Sequence, residues 1–310
     1  MTGKRFLIDT DTASDDAVAL VIALNEPSIE VVAVTVVAGN VPLPQAVQNA
    51  LYTAELCRSE VPVYAGLAGP RDRPLETAQF VHGEDGMGDI GLPVAGRRPA
   101  PGDAIEILIE SIVGAPGEIT LVTLGPLSNV AEALRREPAI ATAVEHCYIM
   151  GGKGSGPGNV TSAAEYNFWA DPEAARFVAR SGMPLTMIGW DMSVRYATFD
   201  EAEANELRQQ SLLGRFCVDI QGKVDVYARV KSGLVGFDLP DPIAMAVAID
   251  PSIARFEQHY FEVVDGDGED RGRDLIDWQD VSGQPKNGSI TTEVDRQRFL
   301  GMLWKAARPD

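Results

Sequence analysis

The sequence predicts an α/β protein built on an open, mostly parallel sheet flanked by helices. Three observations predict it. Short β-branched runs alternate with longer amphipathic runs through the first two thirds of the 310 residues, which is the pattern of strand, helix and parallel strand rather than of hairpins. The strand-like runs are continuously hydrophobic, as they must be when helices cover both faces of a sheet. Several of them end in Gly, Asn or Asp, the residues that let a chain leave a sheet edge.

Taken in order, KRFLID at 4–9 reads as a strand, 16–25 as a helix, EVVAVTVV at 30–37 as a strand and 44–58 as a helix. The pattern returns with a strand at 118–124, a helix opened by Pro126 and running to about Arg136, and a strand at 146–150. A helix follows at 171–180, then a strand at 184–191, helical sequence across 200–232 and an apolar helix at 241–250. Residues 260–294 read as strands and exposed loops, and 294–307 as a closing helix. No internal repeat, low-complexity tract or Pro/Ser-rich linker interrupts the chain, so one domain spanning 1–310 is expected.

With 45% hydrophobic and 23% charged residues the composition is that of a globular protein. The formal net charge of -19 repels phosphates and anionic headgroups, so neither polymeric nucleic acid nor a membrane is an expected partner. Cys57, Cys147 and Cys217 lie far apart in apolar contexts, which suits buried free thiols in a reducing compartment. Residues 1–8 run straight into a strand-like FLI with no apolar stretch of signal-peptide length before it, no segment approaches the roughly 20 apolar residues that cross a bilayer, and a cytoplasmic location is expected.

The densest chemical signal is Asp9-Thr10-Asp11-Thr12-Ala13-Ser14-Asp15-Asp16, which sets four carboxylates between a buried strand and a buried helix. Like charges so close destabilise the fold unless a cation or helix N-terminal amides compensate them. One of Asp15 and Asp16 can serve as a helix cap, but capping does not require four acids. Oxygen ligands without nearby His or Cys point to Ca²⁺ or Mg²⁺ rather than zinc, and Ca²⁺ accepts roughly six to eight oxygens, sugar hydroxyls included. The later strand-like runs end in Gly39-Asn40, Leu124-Gly125-Pro126, Met150-Gly151-Gly152 and Trp190-Asp191. In an open parallel sheet these segments converge on the carboxyl edge, where ligands bind. The run GGKGSGPGN at 151–159 lacks a phosphate-loop ending and reads as a loop over the site. Beyond it Glu165 and Asn167, two apart in a segment read as extended, face one side and suit sugar hydroxyls.

With these segments the chain resembles the inosine-uridine type nucleoside hydrolases, through DTDTASDDAVAL, VVAGNVPLPQAVQNA, FVHGEDGMGD, LVTLGPLSNVAEAL, IMGGKG, GNVTSAAEYNFWADPEAA and DPIAMAV. The resemblance implies a Rossmann-like α/β fold with a deep pocket holding one Ca²⁺, and hydrolysis of a ribonucleoside to free base and ribose. It implies metal binding by the carboxylates of Asp11, Asp16 and Asp241 and by the carbonyl of Leu124, with Asp11 the base for the attacking water. Asp11, Asn40 and His82 form the implied catalytic set. Asp15 and Asn40 would hold the 2′ side of the sugar, Asn167 the 2′ and 3′ side, and Asn159 and Glu165 the 5′-hydroxyl. Met150 would pack nearby, with Asp241 also on the substrate side. A homodimer or homotetramer is the implied assembly.

One departure stands out. Many members carry His immediately before the metal-binding Asp, where it protonates the departing base, and this chain has Pro240-Asp241. Tyr227, Arg229, His82 or solvent must then serve, or the substrate carries a better leaving group. Two competing readings are a Mg²⁺-dependent HAD-like phosphohydrolase with Asp9 as nucleophile, and a nucleoside- or ribose-binding protein without turnover.

Overall fold

A computed structural model describes residues 3–308, and the predicted α/β architecture is what it shows. The strands are β1 (Lys4–Thr10), β2 (Ile29–Val36), β3 (Val63–Ala65), β4 (Ile119–Thr123), β5 (His146–Met150), β6 (Leu185–Ile188), β7 (Thr198–Phe199), β8 (Phe237–Asp238), β9 (Ala254–His259), β10 (Phe261–Val263), β11 (Asp274–Ile276) and β12 (Gly288–Val294). Eight of them form one sheet in the order β3-β2-β1-β4-β5-β6-β12-β9. Every neighbouring pair is parallel except β12 with β9 at the edge.

The period of two along each strand sorts the core into two layers. Phe6 and Ile8 of β1, Val122 of β4 and Tyr148 of β5 face one cluster, while Leu7, Leu121 and Cys147 face the other. On the first face helix Ser14–Leu24 packs against helix Pro240–Ile249. Both are apolar nearly all round and buried along almost their whole length, which places them inside rather than on the surface. On the second face lie helices Ala104–Gly114, Ser128–Arg136 and Pro172–Ala179.

The order of strands turns at β1. From there the chain first builds outward through β2 and β3, then returns to build the other way through β4, β5 and β6. The loops after β1 and β4 therefore diverge to opposite faces and leave a crevice, the usual ligand position in this architecture.

Three local expectations are corrected. Residues 184–191 are not one strand: β6 stops at Ile188, extended Gly189 caps a new helix, Trp190–Tyr196, and Asp191 lies in its first turn. The 200–232 stretch is not continuous, because Ser211 is extended and its hydroxyl accepts from Gly214 N, starting a second helix. A third helix, Gly222–Tyr227, runs into a π-helical turn, Ala228–Ser232, that ends on left-handed Gly233. Glu165 and Asn167 do not share an extended run, since Glu165 is the N-cap of a short helix, Tyr166–Ala170. Among the described residues no helix is long and apolar enough to cross a membrane.

Candidate active site

The turn after β1 brings the acidic segment to the crevice, and its hydrogen bonds divide the four carboxylates into two kinds. Asp9 points into the sheet, where Thr35 Oγ1 donates to it at 2.5 Å and Asn129 Nδ2 at 2.8 Å. Both donors act on Oδ1, so Asp9, fully buried, is tied to β2 and to the helix after β4. Asp16 closes the first turn of its helix, accepting from Ala13 N at 2.9 Å and Thr10 Oγ1 at 2.5 Å. Asp11 accepts from Asn40 N at 2.6 Å, which ties the turn after β1 to the turn after β2.

Two glycines make room for Asp11. A Cβ at position 125 would lie 2.6 Å from Asp11 Oδ1, and one at position 39 would overlap Asp11 Oδ2. At these two strand ends the glycines admit a carboxylate. Gly125→Ala is expected to displace Asp11 and lower metal affinity or kcat by ~10- to 100-fold. Titration calorimetry showing unchanged affinity, together with unchanged kcat, would contradict that role.

Asp15, Asp16 and Asp241 bring carboxylate oxygens within 4.8 Å of one another, and all three are buried. Asp11 is not part of this tightest triple, although its charge is felt by Asp241. Burial first, then the charge of Asp16, pushes the carboxyls of Asp11 and Asp241 well above their ordinary range. Burial likewise raises Asp15 to about 7, and burial with the Asp15 charge raises Asp16 to about 6. Asp11 Oδ1 and Asp15 Oδ1 are buried without any hydrogen-bond partner. Among the described residues the one basic group within ion-pairing distance of the four is His82, whose Nδ1 is 3.8 Å from Asp15 Oδ1. That histidine gives little charge in return, because burial lowers it to about 4. Buried, mutually repelling oxygens with open lone pairs are the donor set of a hard cation.

Above the cluster opens a cavity of about 750 Å³, its mouth included. Of the residues expected at the site, Asp15, Asn40, His82, Leu124, Met150, Asn159, Glu165, Asn167 and Asp241 line it, whereas Asp11 and Asp16 lie fully buried beneath the surface. Asn167 Nδ2 donates to Leu124 O at 2.8 Å and to Met150 O at 3.2 Å, so its amide oxygen is left for the cavity. Glu165 is more tightly engaged than expected. It accepts from Asn167 N at 2.7 Å, Gly152 N at 2.9 Å and Phe168 N at 3.3 Å, yet burial still raises it to about 7. It thereby fixes the backbone that carries Asn167. Asn159 Oδ1 accepts from Tyr166 N at 2.9 Å.

The rest of the lining comes from outside the sheet edge: Phe80, the helix and π-helical turn carrying Val224, Tyr227 and Ser232, and Asp238 of β8. Phe80 and Tyr227 meet edge to face at 5.8 Å. Arg229 does not join them, since its Nε is held by both oxygens of Asp225 and it lines a different depression. Trp190, expected at the crevice as a strand end, lines the cavity, whereas Asp238 and Ser232 were not singled out in the sequence, where an isolated Asp in a two-residue strand carries no pattern.

Buried oxygen donors beneath a cavity lined by amides and carboxylates, at the turning point of a parallel sheet, make this an α/β protein with a candidate site for a hard cation and a small polar ligand. The profile of the family described as inosine-uridine preferring nucleoside hydrolase matches residues 6–301. The pyrimidine-specific ribonucleoside hydrolase RihB of Escherichia coli is 33% identical over 309 residues, covering 99% of this chain and 98% of that one. Among solved structures, the purine-preferring ribonucleoside hydrolase from Gardnerella vaginalis superposes with a TM-score of 0.90 at 32% identity, covering 98% of each chain. The plant nucleoside hydrolase PpNRh1 does so with a TM-score of 0.90 at 31% identity, again over 98% of each. The chain belongs to the inosine-uridine preferring nucleoside hydrolase family. Its reaction is hydrolysis of the N-glycosidic bond of ribonucleosides, and the phosphohydrolase and binding-protein readings find no support.

Proposed function

We propose that the chain cleaves the C1′–N bond by attack of a water whose proton passes to Asp11, in a site holding one Ca²⁺ between Asp11, Asp16, Asp241 and the carbonyl of Leu124. The observation that carries this reading is the set of four buried carboxylates with two unpartnered oxygens and no effective cationic side chain. When bound, the cation lowers the pKa of a coordinated water and takes up sugar hydroxyl oxygens. Calcium rather than magnesium suits an all-oxygen donor set that includes a carbonyl and ligand hydroxyls, because Mg²⁺ holds its waters and leans on phosphates.

The chain's own groups do the rest. Asp11, clamped by Asn40 N and two glycines, accepts the proton of the attacking water. Asp15 and the free side-chain amide of Asn40 hold the 2′ side of the ribose, and the free amide oxygen of Asn167 the 2′ and 3′ side. Asn159 and Glu165 sit over the 5′-hydroxyl, with Met150 packing nearby. As the bond breaks, positive charge grows on the ribosyl ring, and these carboxylates and amide oxygens stabilise it electrostatically. His82 hydrogen-bonds Ser14 Oγ through Nδ1 at 2.9 Å, which fixes its ring at the cavity wall near the departing base.

Titration of chelator-treated protein with Ca²⁺ and Mg²⁺ by calorimetry is expected to show one site with at least about tenfold preference for Ca²⁺. Tighter Mg²⁺ binding would overturn the choice of metal. The relatives are named for opposite bases, pyrimidine in one case and purine in another, so inosine and uridine both belong in the substrate panel. A homodimer or homotetramer, supported by the family resemblance, is to be read by light scattering.

A further inference from the structure

We propose that Asp238 is the acid that protonates the departing base, the task that Pro240 cannot perform. This rests on the hydrolytic reading above. A nucleobase anion is a poor leaving group, and proton donation to it is worth ~10²- to 10⁴-fold in rate. The cavity offers few groups able to give that proton. Pro240 has no proton to give, and Arg229 is turned away onto Asp225. His82 has one ring nitrogen on Ser14 Oγ and is kept neutral by burial.

Asp238 lines the same cavity, lies three residues before Asp241 and is buried. Its carboxyl is held asymmetrically. Trp190 Nε1 donates to Oδ2 at 2.8 Å and Ser193 Oγ donates to the same oxygen at 2.6 Å, whereas among the described residues nothing donates to Oδ1. Two donors on one oxygen leave the other as the seat of the proton. Burial raises this carboxyl above its ordinary range in spite of those two donors. A neutral carboxyl held in a pocket to donate a hydrogen bond is a known use of such burial. Trp190 lines the cavity beside it, so the indole both orients the acid and forms part of the wall.

In the step itself the C1′–N bond breaks and its electron pair goes to the base. The Oδ1 proton of Asp238 passes to that base, directly on the ring nitrogen or on another basic atom of it. Water adds to C1′ and gives its proton to Asp11. Release of the Asp11 proton and reprotonation of Asp238 restore the resting state, for a net consumption of one water.

The test compares leaving groups. Asp238→Asn keeps an oxygen for Trp190 and Ser193 but has no acidic proton. It is expected to lower kcat on inosine and uridine by ~10²-fold or more, and on p-nitrophenyl riboside, whose leaving group needs no proton, by less than about threefold. Equal losses on all three, or no loss on the nucleosides, would overturn the proposal. Should this variant fold poorly, Asp238→Ala assayed with added formate serves instead: restored nucleoside cleavage supports the acid, and absence of rescue counts against it. Failure of the hydrolytic reading would look different, because the wild type would then spare p-nitrophenyl riboside as well.

Discussion

Asp11→Ala is expected to lower kcat by about 10³-fold or more, since it deletes the proposed proton acceptor and a proposed metal oxygen together. The loss should fall on inosine, uridine and p-nitrophenyl riboside alike, because a missing base on the water side is indifferent to the leaving group. That uniformity separates Asp11 from Asp238, whose loss is selective. A second readout has the opposite sign. Asp11 is fully buried, raises Asp241 and itself feels Asp16 and Asp15. Removing it relieves repulsion, so the metal-free variant should melt above the metal-free wild type. Wild-type turnover in Asp11→Ala would remove Asp11 from the mechanism, and a lower melting temperature would show that its contact with Asn40 outweighs the repulsion.

Removing the cation is expected to abolish turnover and to make stability depend on pH. Asp15 and Asp16 have an ordinary value of 3.8, raised to about 7 and about 6 in the fold. The folded chain thus binds these protons more tightly than the unfolded chain does. Below pH ~4 both states are protonated and no penalty arises; the penalty grows as pH rises through 6 and 7, then stays constant. Scanning calorimetry of chelator-treated protein should therefore show Tm falling between pH 5 and pH 8. Adding Ca²⁺ at pH 8 should recover about 5–10 °C, the shift expected for a tight ligand of the folded state. A chelated protein with the same Tm at both values would mean that the carboxylates are compensated without a cation.

The sheet and the buried acidic cluster at its edge were legible in the sequence for one reason. Strands buried on both faces are continuous apolar runs, so whatever polar residue ends them stands out, as Asp11, Asn40 and Leu124-Gly125 do. The leaving-group half was not legible. Asp238 acquires meaning from Trp190 and Ser193, more than forty residues earlier, through contacts that no local pattern encodes. Trp190 was itself read as the end of a strand, because apolar sequence runs on past Ile188 and the helix start depends on the extended backbone of Gly189. The break at Ser211 was hidden by helix-favouring residues on both sides. β9, exposed along most of its length at the sheet edge, has no apolar face to announce it.

The two halves of the cavity differ in how they are anchored. The groups proposed to hold ribose and metal hang on the ends of the central strands, where a shift of one residue would disturb both cores. Much of the opposite wall is a single stretch, Gly222 to Asp238, held outside the main sheet by a short helix, a π-helical turn and the two-residue β8. Such a stretch can be rewritten without refolding the scaffold, in the manner of an exchangeable tool head on a fixed handle. Relatives named for pyrimidines and for purines are similar to this chain to nearly the same degree, and grafting the corresponding stretch from one of them tests whether this wall sets the base preference.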